Sequence, residues 1–244
     1  MRAARFFIDA PLALGTLIEL PPRMAHHALR VLRLRDRDSI VLFNGQGGEF
    51  AARLEIDGSR VVAEIHASDA VERESPLSVT LVHAWIATDK LDWVVEKSIE
   101  LGVHSIVLTP SQRAVVRVTG DRLAKKLDRL RELIVGACAQ CGRNRIPQIE
   151  AAATLADALR AGQSDGAIGV LLEPNAALSL SEAELSNRRV ALAVGPEGGF
   201  DDAELELARR LGYRAHRLGP RILRTETAGL AALAAMQATT GDFR

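Results

Sequence analysis

The chain has 244 residues, 48% of them hydrophobic and 25% charged, which supplies one large or two modest cores and excludes a disordered or collagen-like chain. Lys+Arg and Asp+Glu each number 31, so the formal net charge is +0 and any surface for nucleic acid has to be local. No apolar run approaches a membrane span, and the start Met1-Arg2-Ala3-Ala4-Arg5-Phe6 lacks the long apolar segment of a secretory signal; both predict a cytoplasmic protein without membrane contact.

Residues 1–72 read mainly as short strands. Ser39-Ile40-Val41-Leu42-Phe43, the run 49–56 and the run 60–65 are separated by Asn44-Gly45-Gln46-Gly47-Gly48 and Asp57-Gly58, which are hairpin signals of a small antiparallel barrel. One helix interrupts it after Pro21-Pro22, with Met24, Ala28, Val31 and Leu32 at core spacing. Val71-Glu72-Arg73-Glu74-Ser75-Pro76 then reads as a linker between domains.

Residues 73–244 alternate between the two periods. Strands are predicted at 79–86, 105–108, 166–172, 190–194 and 214–218, and helices at 90–101, 121–141, 155–161, 201–211 and 228–239, the pattern of a parallel sheet with helices on both faces. Asp201 with Glu204 fits a capping box, and Gly212 a helix stop. The lone pair Cys138 and Cys141 lacks a second ligand pair for zinc and lies late in a helix, so reduced thiols are expected. The six histidines are dispersed, and no metal is expected.

Charge is unevenly spread. Residues 111–147 carry nine Lys/Arg against three acids. In the helix 121–141, Leu123, Leu127, Leu130, Ile134, Ala137 and Cys141 form an apolar stripe, with Arg122, Lys125, Lys126 and Arg129 largely opposite. Arg30, Arg33, Arg35 and Arg37 form a second basic set. Such a face suits RNA phosphates, although any amphipathic helix turns a charged side to water.

Two polar, glycine-bearing segments follow strands: Gly195-Pro196-Glu197-Gly198-Gly199-Phe200 and Leu218-Gly219-Pro220-Arg221-Ile222-Leu223-Arg224-Thr225-Glu226-Thr227-Ala228. Open α/β sheets bind ligands at the carboxyl ends of their strands, and neither segment is a standard dinucleotide or phosphate loop. In the second, Thr225 suits a helix N-cap and Arg221 an exposed charge, which leaves Arg224 and Glu226 without a structural task.

These two segments, with Glu72-Arg73-Glu74-Ser75-Pro76-Leu77, Lys97-Ser98-Ile99-Glu100-Leu101-Gly102-Val103, Gln140-Cys141-Gly142-Arg143-Asn144-Arg145-Ile146-Pro147 and His27-Ala28-Leu29-Arg30-Val31-Leu32-Arg33, resemble the bacterial ribosomal RNA small-subunit methyltransferase E family over nearly the whole chain. The resemblance implies an α/β protein with an N-terminal PUA-like RNA-binding β-barrel (1–72) and a C-terminal SPOUT methyltransferase domain (73–244) with a parallel sheet and a trefoil knot. It implies a homodimer that methylates N3 of uridine 1498 in 16S rRNA, within the small ribosomal subunit, with S-adenosylmethionine as cofactor. The cofactor residues would be Leu172, Gly195, Glu197, Gly198, Leu218, Gly219, Ile222, Leu223 and Thr225, with Glu197 meeting a ribose hydroxyl or the cofactor's positive end. Arg224 would stabilise the uridinate, and Glu226 would orient it or accept the proton. Arg30, Arg33, Arg113, Lys125, Lys126, Arg143 and Arg145 would hold RNA. Gln112 and Ala87-Thr88-Asp89-Lys90 depart from the family pattern.

Two rivals remain at this stage. One is a SPOUT enzyme acting at another RNA position, because the cofactor loops do not choose the acceptor. The other is an inactive PUA-like RNA-binding or ribosome-assembly protein.

Overall fold

The structure is a computed structural model that describes residues 3–186 and 188–243. It divides into two compact units. The first holds the residues up to Glu74 together with Cys138–Ile146, and the second holds Ser75–Ala137 and the residues from Pro147 onward.

The first unit is built on a five-stranded sheet of β1 Ala4–Phe7, β2 Leu17–Glu19, β3 Ser39–Phe43, β4 Glu49–Asp57 and β5 Arg60–Asp69, in the order β1-β3-β4-β5-β2. Alternation sorts the faces: in β4, Ala52 and Leu54 are buried while Arg53 and Glu55 point outward. The β4–β5 hairpin turns at Gly58, with Asp57 paired to Arg60, as the Asp57-Gly58 signal predicts. β1 pairs with β3 in parallel, so the sheet is mixed rather than wholly antiparallel. A parallel pair is reached by a crossover and leaves no turn signature in the sequence.

The helix after Pro21 is α1 Pro22–His26, continued by a π-helical turn His27–Val31 in which Leu32 N donates to His27 O at 2.9 Å. The wider turn shifts the register. Ala28 is buried as expected, but Val31 and Leu32 are 60% and 41% exposed and lie outside the core.

The segment Cys138–Ile146, which the alternating pattern places in the second domain, belongs to the first unit through buried polar contacts. Arg5 donates to Glu49 at 2.5 Å and to Asn144 Oδ1, and Arg73 donates to Glu49 at 2.8 Å and to Gly142 O at 3.0 Å. Arg143 is buried against Glu74, its Nε 3.0 Å from Oε1. Cys138 and Cys141 are free thiols, and burial pushes Cys138 up to about 12. Alkylation of the native protein at about pH 8 is therefore expected to label Cys141 well before Cys138 by mass mapping. Equal labelling would contradict the buried placement.

The second unit contains β6 Ser78–Ala84, β7 Ser105–Thr109, β8 Gln148–Ala151, β9 Ile168–Leu172, β10 Leu178–Ser179, β11 Arg189–Val194 and β12 Arg214–Arg217. All seven run parallel, in the order β10-β12-β9-β11-β6-β7-β8. Between them lie α2 Thr88–Glu100, most of α3 Asp121–Cys141, α4 Leu155–Gly162 and α5 Asp202–Arg210, and α6 Thr225–Thr239 follows β12.

The period of two assigns the faces. Val82, Ala191 and Ala193 pack with Leu155, Ala158 and Ala208 of α4 and α5. On the other face α6 comes so close that a Cβ at Gly229 would lie 3.3 Å from Val194 Cγ2, with Leu81 and His83 next. Asp201 and Glu204 form the expected reciprocal cap, at 2.8 and 2.9 Å. Among the described residues no helix is long and apolar enough to cross a membrane, and no group of three or more His, Cys, Asp or Glu is placed to hold a metal ion.

Candidate active site

Because the sheet is parallel, the carboxyl ends of β6, β9, β11 and β12 share one edge, and the two glycine-bearing segments meet there. Thr225 is not the N-cap of α6: Arg224 holds that position, and Thr225 is the first helical residue. Its hydroxyl donates instead to Gly195 O at 2.6 Å, a buried bond that ties the second segment to the first. The bond closes one side of an open cavity of about 110 Å³. Leu172, Val194, Leu218, Ile222, Leu223 and Ala228 give it apolar walls, while Gly195, Glu173, Glu197 and Arg221 supply polar groups.

A charged row borders this cavity. Lys90, in the first turn of α2, places Nζ 3.6 Å from Glu197 Oε1 and 3.7 Å from Glu226 Oε2. Arg224 Nη1 lies 4.0 Å from the other oxygen of Glu226; its side chain is 82% exposed, against 16% for Glu226. Glu226 Oε2 is buried and has no hydrogen-bond partner among the described residues. Beneath the row, on β6, His83 is fully buried, and desolvation holds its imidazole below the ordinary value and therefore neutral. Its Nδ1 donates to Ala84 O at 2.7 Å.

The arrangement suits an adenosine-like ligand with a cationic end: apolar walls for a flat ring, backbone groups at Gly195 for its polar edge, and carboxylates at the rim. Comparison with known proteins places the chain in a family. Residues 73–237 match the family described as "RNA methyltransferase domain", and residues 20–65 match "RNA methyltransferase PUA domain". The ribosomal RNA small subunit methyltransferase E of Buchnera aphidicola is 30% identical over 99% of this chain and 98% of its own. That of Bacillus subtilis is 30% identical over 90% and 89%. The chain belongs to the ribosomal RNA small subunit methyltransferase E family. The crystal structure of the Neisseria gonorrhoeae methyltransferase E bound to S-adenosyl methionine superposes with a TM-score of 0.90, at 37% identity and 100% coverage of both chains.

The fold expected of a methyltransferase E protein, a PUA-like N-terminal region and a parallel α/β domain, is the one observed. Of the nine cofactor residues the sequence suggests, Leu172, Gly195, Glu197, Leu218, Ile222, Leu223 and Thr225 line the cavity. Gly198 and Gly219 do not. A Cβ at Gly198 would lie 3.1 Å from Arg113 Cβ, so its bareness serves the passage beneath Arg113, which donates to Gly198 O at 3.0 Å and to Phe200 O at 3.2 Å. Gly219 lines a neighbouring cavity with Arg188 and Met236.

The basic residues divide similarly. Arg30, Arg33 and Lys125 are exposed. Lys126 is half-buried, its Nζ 5.1 Å from the Trp85 ring, and Arg145 keeps a 54% exposed side chain while paired with Glu72 at 2.7 Å. Arg143, expected among the RNA contacts, is instead buried against Glu74. Sequence reasoning missed Lys90, His83 and His216. All three sit at the carboxyl ends of strands or just beyond, a position that the sheet rule alone would have flagged.

Proposed function

We propose that this methyltransferase E chain transfers a methyl group from S-adenosylmethionine to N3 of uridine 1498 in the 16S rRNA of the small ribosomal subunit, working as a homodimer in the cytoplasm. Residues 1–72 serve as the RNA-binding domain and 73–244 as the methyltransferase domain, whose site loops also form a trefoil knot. The observation that carries this reading is the apolar cavity closed by the Thr225–Gly195 bond with the Lys90, Glu226 and Arg224 row at its edge.

Bound S-adenosylmethionine supplies an already activated methyl group, so the residues of the chain have to orient the acceptor and help N3 lose its proton. That nitrogen titrates roughly two to three units above neutral, and ionising it takes about 3–4 kcal/mol at about 1.4 per unit. Leu172, Leu218, Ile222 and Leu223 hold the adenine, and Glu197 faces the ribose or the cationic end. Arg224 stabilises the uridinate through a carbonyl oxygen, and Glu226 accepts the N3 proton or orients Arg224.

RNA phosphates fall to Arg30, Arg33, Arg113, Lys125, Lys126 and Arg145. Because such contacts release counterions, the affinity for small-subunit rRNA is expected to fall steeply with salt, and Lys125→Ala to reduce the slope of log K against log salt by about 1. An unchanged slope removes Lys125 from the footprint. The function itself is tested by mass mapping of 16S rRNA incubated with protein and S-adenosylmethionine. One added methyl at that uridine supports the reading, and modification elsewhere or none overturns it.

A further inference from the structure

Within the row of Lys90, Glu197, Glu226 and Arg224, Lys90 is the group that the reading above leaves without a task, and its position relative to Glu226 is specific. Lys90 Nζ stands 3.7 Å from Oε2 of Glu226 and Arg224 Nη1 stands 4.0 Å from Oε1, so one carboxylate has a different cation at each of its oxygens. Neither separation is a hydrogen bond, and Oε2 has no other partner among the described residues. The row therefore offers a donor, an acceptor and a second donor, all with bonding capacity to spare. Uracil presents the complement along one edge: the O4 acceptor, the N3–H donor and the O2 acceptor.

We propose that Lys90 is a catalytic and specificity-determining residue: its ammonium binds one carbonyl oxygen of the target uracil while Arg224 binds the other, and Glu226 between them faces N3. This rests on the uridine-N3 reading above. The N3–H bond breaks with its proton passing to the Glu226 carboxylate and its electron pair staying on N3. That pair forms the bond to the donated methyl carbon as the carbon–sulfur bond breaks and its electrons return to sulfur. Two cations neutralise the charge that the uridinate spreads over O2 and O4, a larger effect than one exposed guanidinium supplies. The groups facing Glu226 are Lys90 from α2, Arg224 from the loop before α6, and the neutral His83 from β6; Glu197 bears on Lys90 from the far side and holds the ammonium at the cavity rim.

The same row rejects cytosine. Its amino group would meet a cation, and its unprotonated N3 would meet the carboxylate, leaving site groups unpaired at both places. An ammonium that merely balances two carboxylates would carry no such preference, and its loss would not depend on the acidity of the base.

That difference sets the test. Wild type, Lys90→Gln and Lys90→Arg are compared at saturating cofactor on small-subunit rRNA carrying either uridine or 5-fluorouridine at the target, since fluorine acidifies N3. Lys90→Gln is expected to lower kcat about 100-fold on uridine, with the affinity for S-adenosylmethionine by calorimetry within about threefold of wild type. On 5-fluorouridine the deficit should shrink to about tenfold, because less stabilisation of the anion is required. Lys90→Arg should recover most of the rate. A wild-type rate for Lys90→Gln, an equal deficit on both bases, or a loss that tracks cofactor affinity overturns the assignment. Failure of the wild-type protein to methylate N3 overturns both this and the reading beneath it, whereas normal methylation with an indifferent Lys90→Gln overturns Lys90 alone.

Discussion

Arg224→Ala is expected to lower kcat by a factor of about 10² to 10³, with little change in protein stability or cofactor affinity. The side chain is 82% exposed and stands 4.0 Å from Glu226, which keeps Lys90 as a second cation, so its removal opens no cavity. What is lost is charge placed where the uridinate develops, an interaction made more strongly in the transition state than in the ground state. Kinetically that appears as equal falls in kcat and kcat/KM. Arg224→Lys should fall between, because it keeps the cation but not the planar fork. The check is single-turnover methylation at saturating cofactor and RNA, beside calorimetry with S-adenosylmethionine. Full rate in Arg224→Ala would remove the residue from the chemistry, and a loss confined to cofactor affinity would reassign it to the cavity wall.

The residues of this site were unevenly legible. Arg224 and Glu226 stood out because a dense polar run leading into a helix contains more charge than capping requires. The cavity walls followed from strand ends: each strand predicted after residue 166 overlaps an observed one, so the loops beyond them were correctly placed. Lys90 was invisible for a different reason. A lysine in the first turn of an amphipathic helix looks like any solvated charge, and only the parallel pairing of β6 with β11 brings it within 4 Å of Glu197 and Glu226. Thr225 was misread because capping statistics describe a hydroxyl turned back on its own helix, whereas this one is claimed by Gly195 O thirty residues away.

The fold shows the same division. Elements with a strong period were found to within a few residues; β1, β2, β8 and β10 were not, being short strands of two to four residues whose pairing partners are set by tertiary contacts. The π-helical turn at His27–Val31 defeated a reading based on 3.6 residues per turn, and the error appears just where Val31 swings out of the core. Arg143 was counted with the surface cations because a local count of charge cannot see Glu74, which lies far from it in sequence and against which it is buried.

Glu49→Gln should have the largest effect on stability. Glu49 accepts from Arg5 at 2.5 Å and from Arg73 at 2.8 Å, and the side chains of Arg5 and Glu49 are only 5% and 17% exposed. The hydrogen bond from Arg73 is the main cause that holds its carboxyl down at about 2, against an ordinary 4.5; burial opposes the shift and Arg5 reinforces it. At about 1.4 kcal/mol per unit, the depressed value corresponds to roughly 3 kcal/mol of stability at neutral pH. Glutamine keeps the shape but strands a buried guanidinium, and breaking such a pair costs about 3–5 kcal/mol. Between 4.5 and 2 the unfolded chain binds the proton more readily than the folded one, so the contribution of Glu49 is complete above 4.5 and drains away as the pH falls through that window. Urea unfolding at about pH 7 should therefore show Glu49→Gln less stable than wild type by about 3–5 kcal/mol, and at about pH 3 the gap should narrow by about half. A gap of equal size at both pH values would mean that packing, and not the charge of Glu49, binds the segment around Gly142 and Asn144 to the first unit.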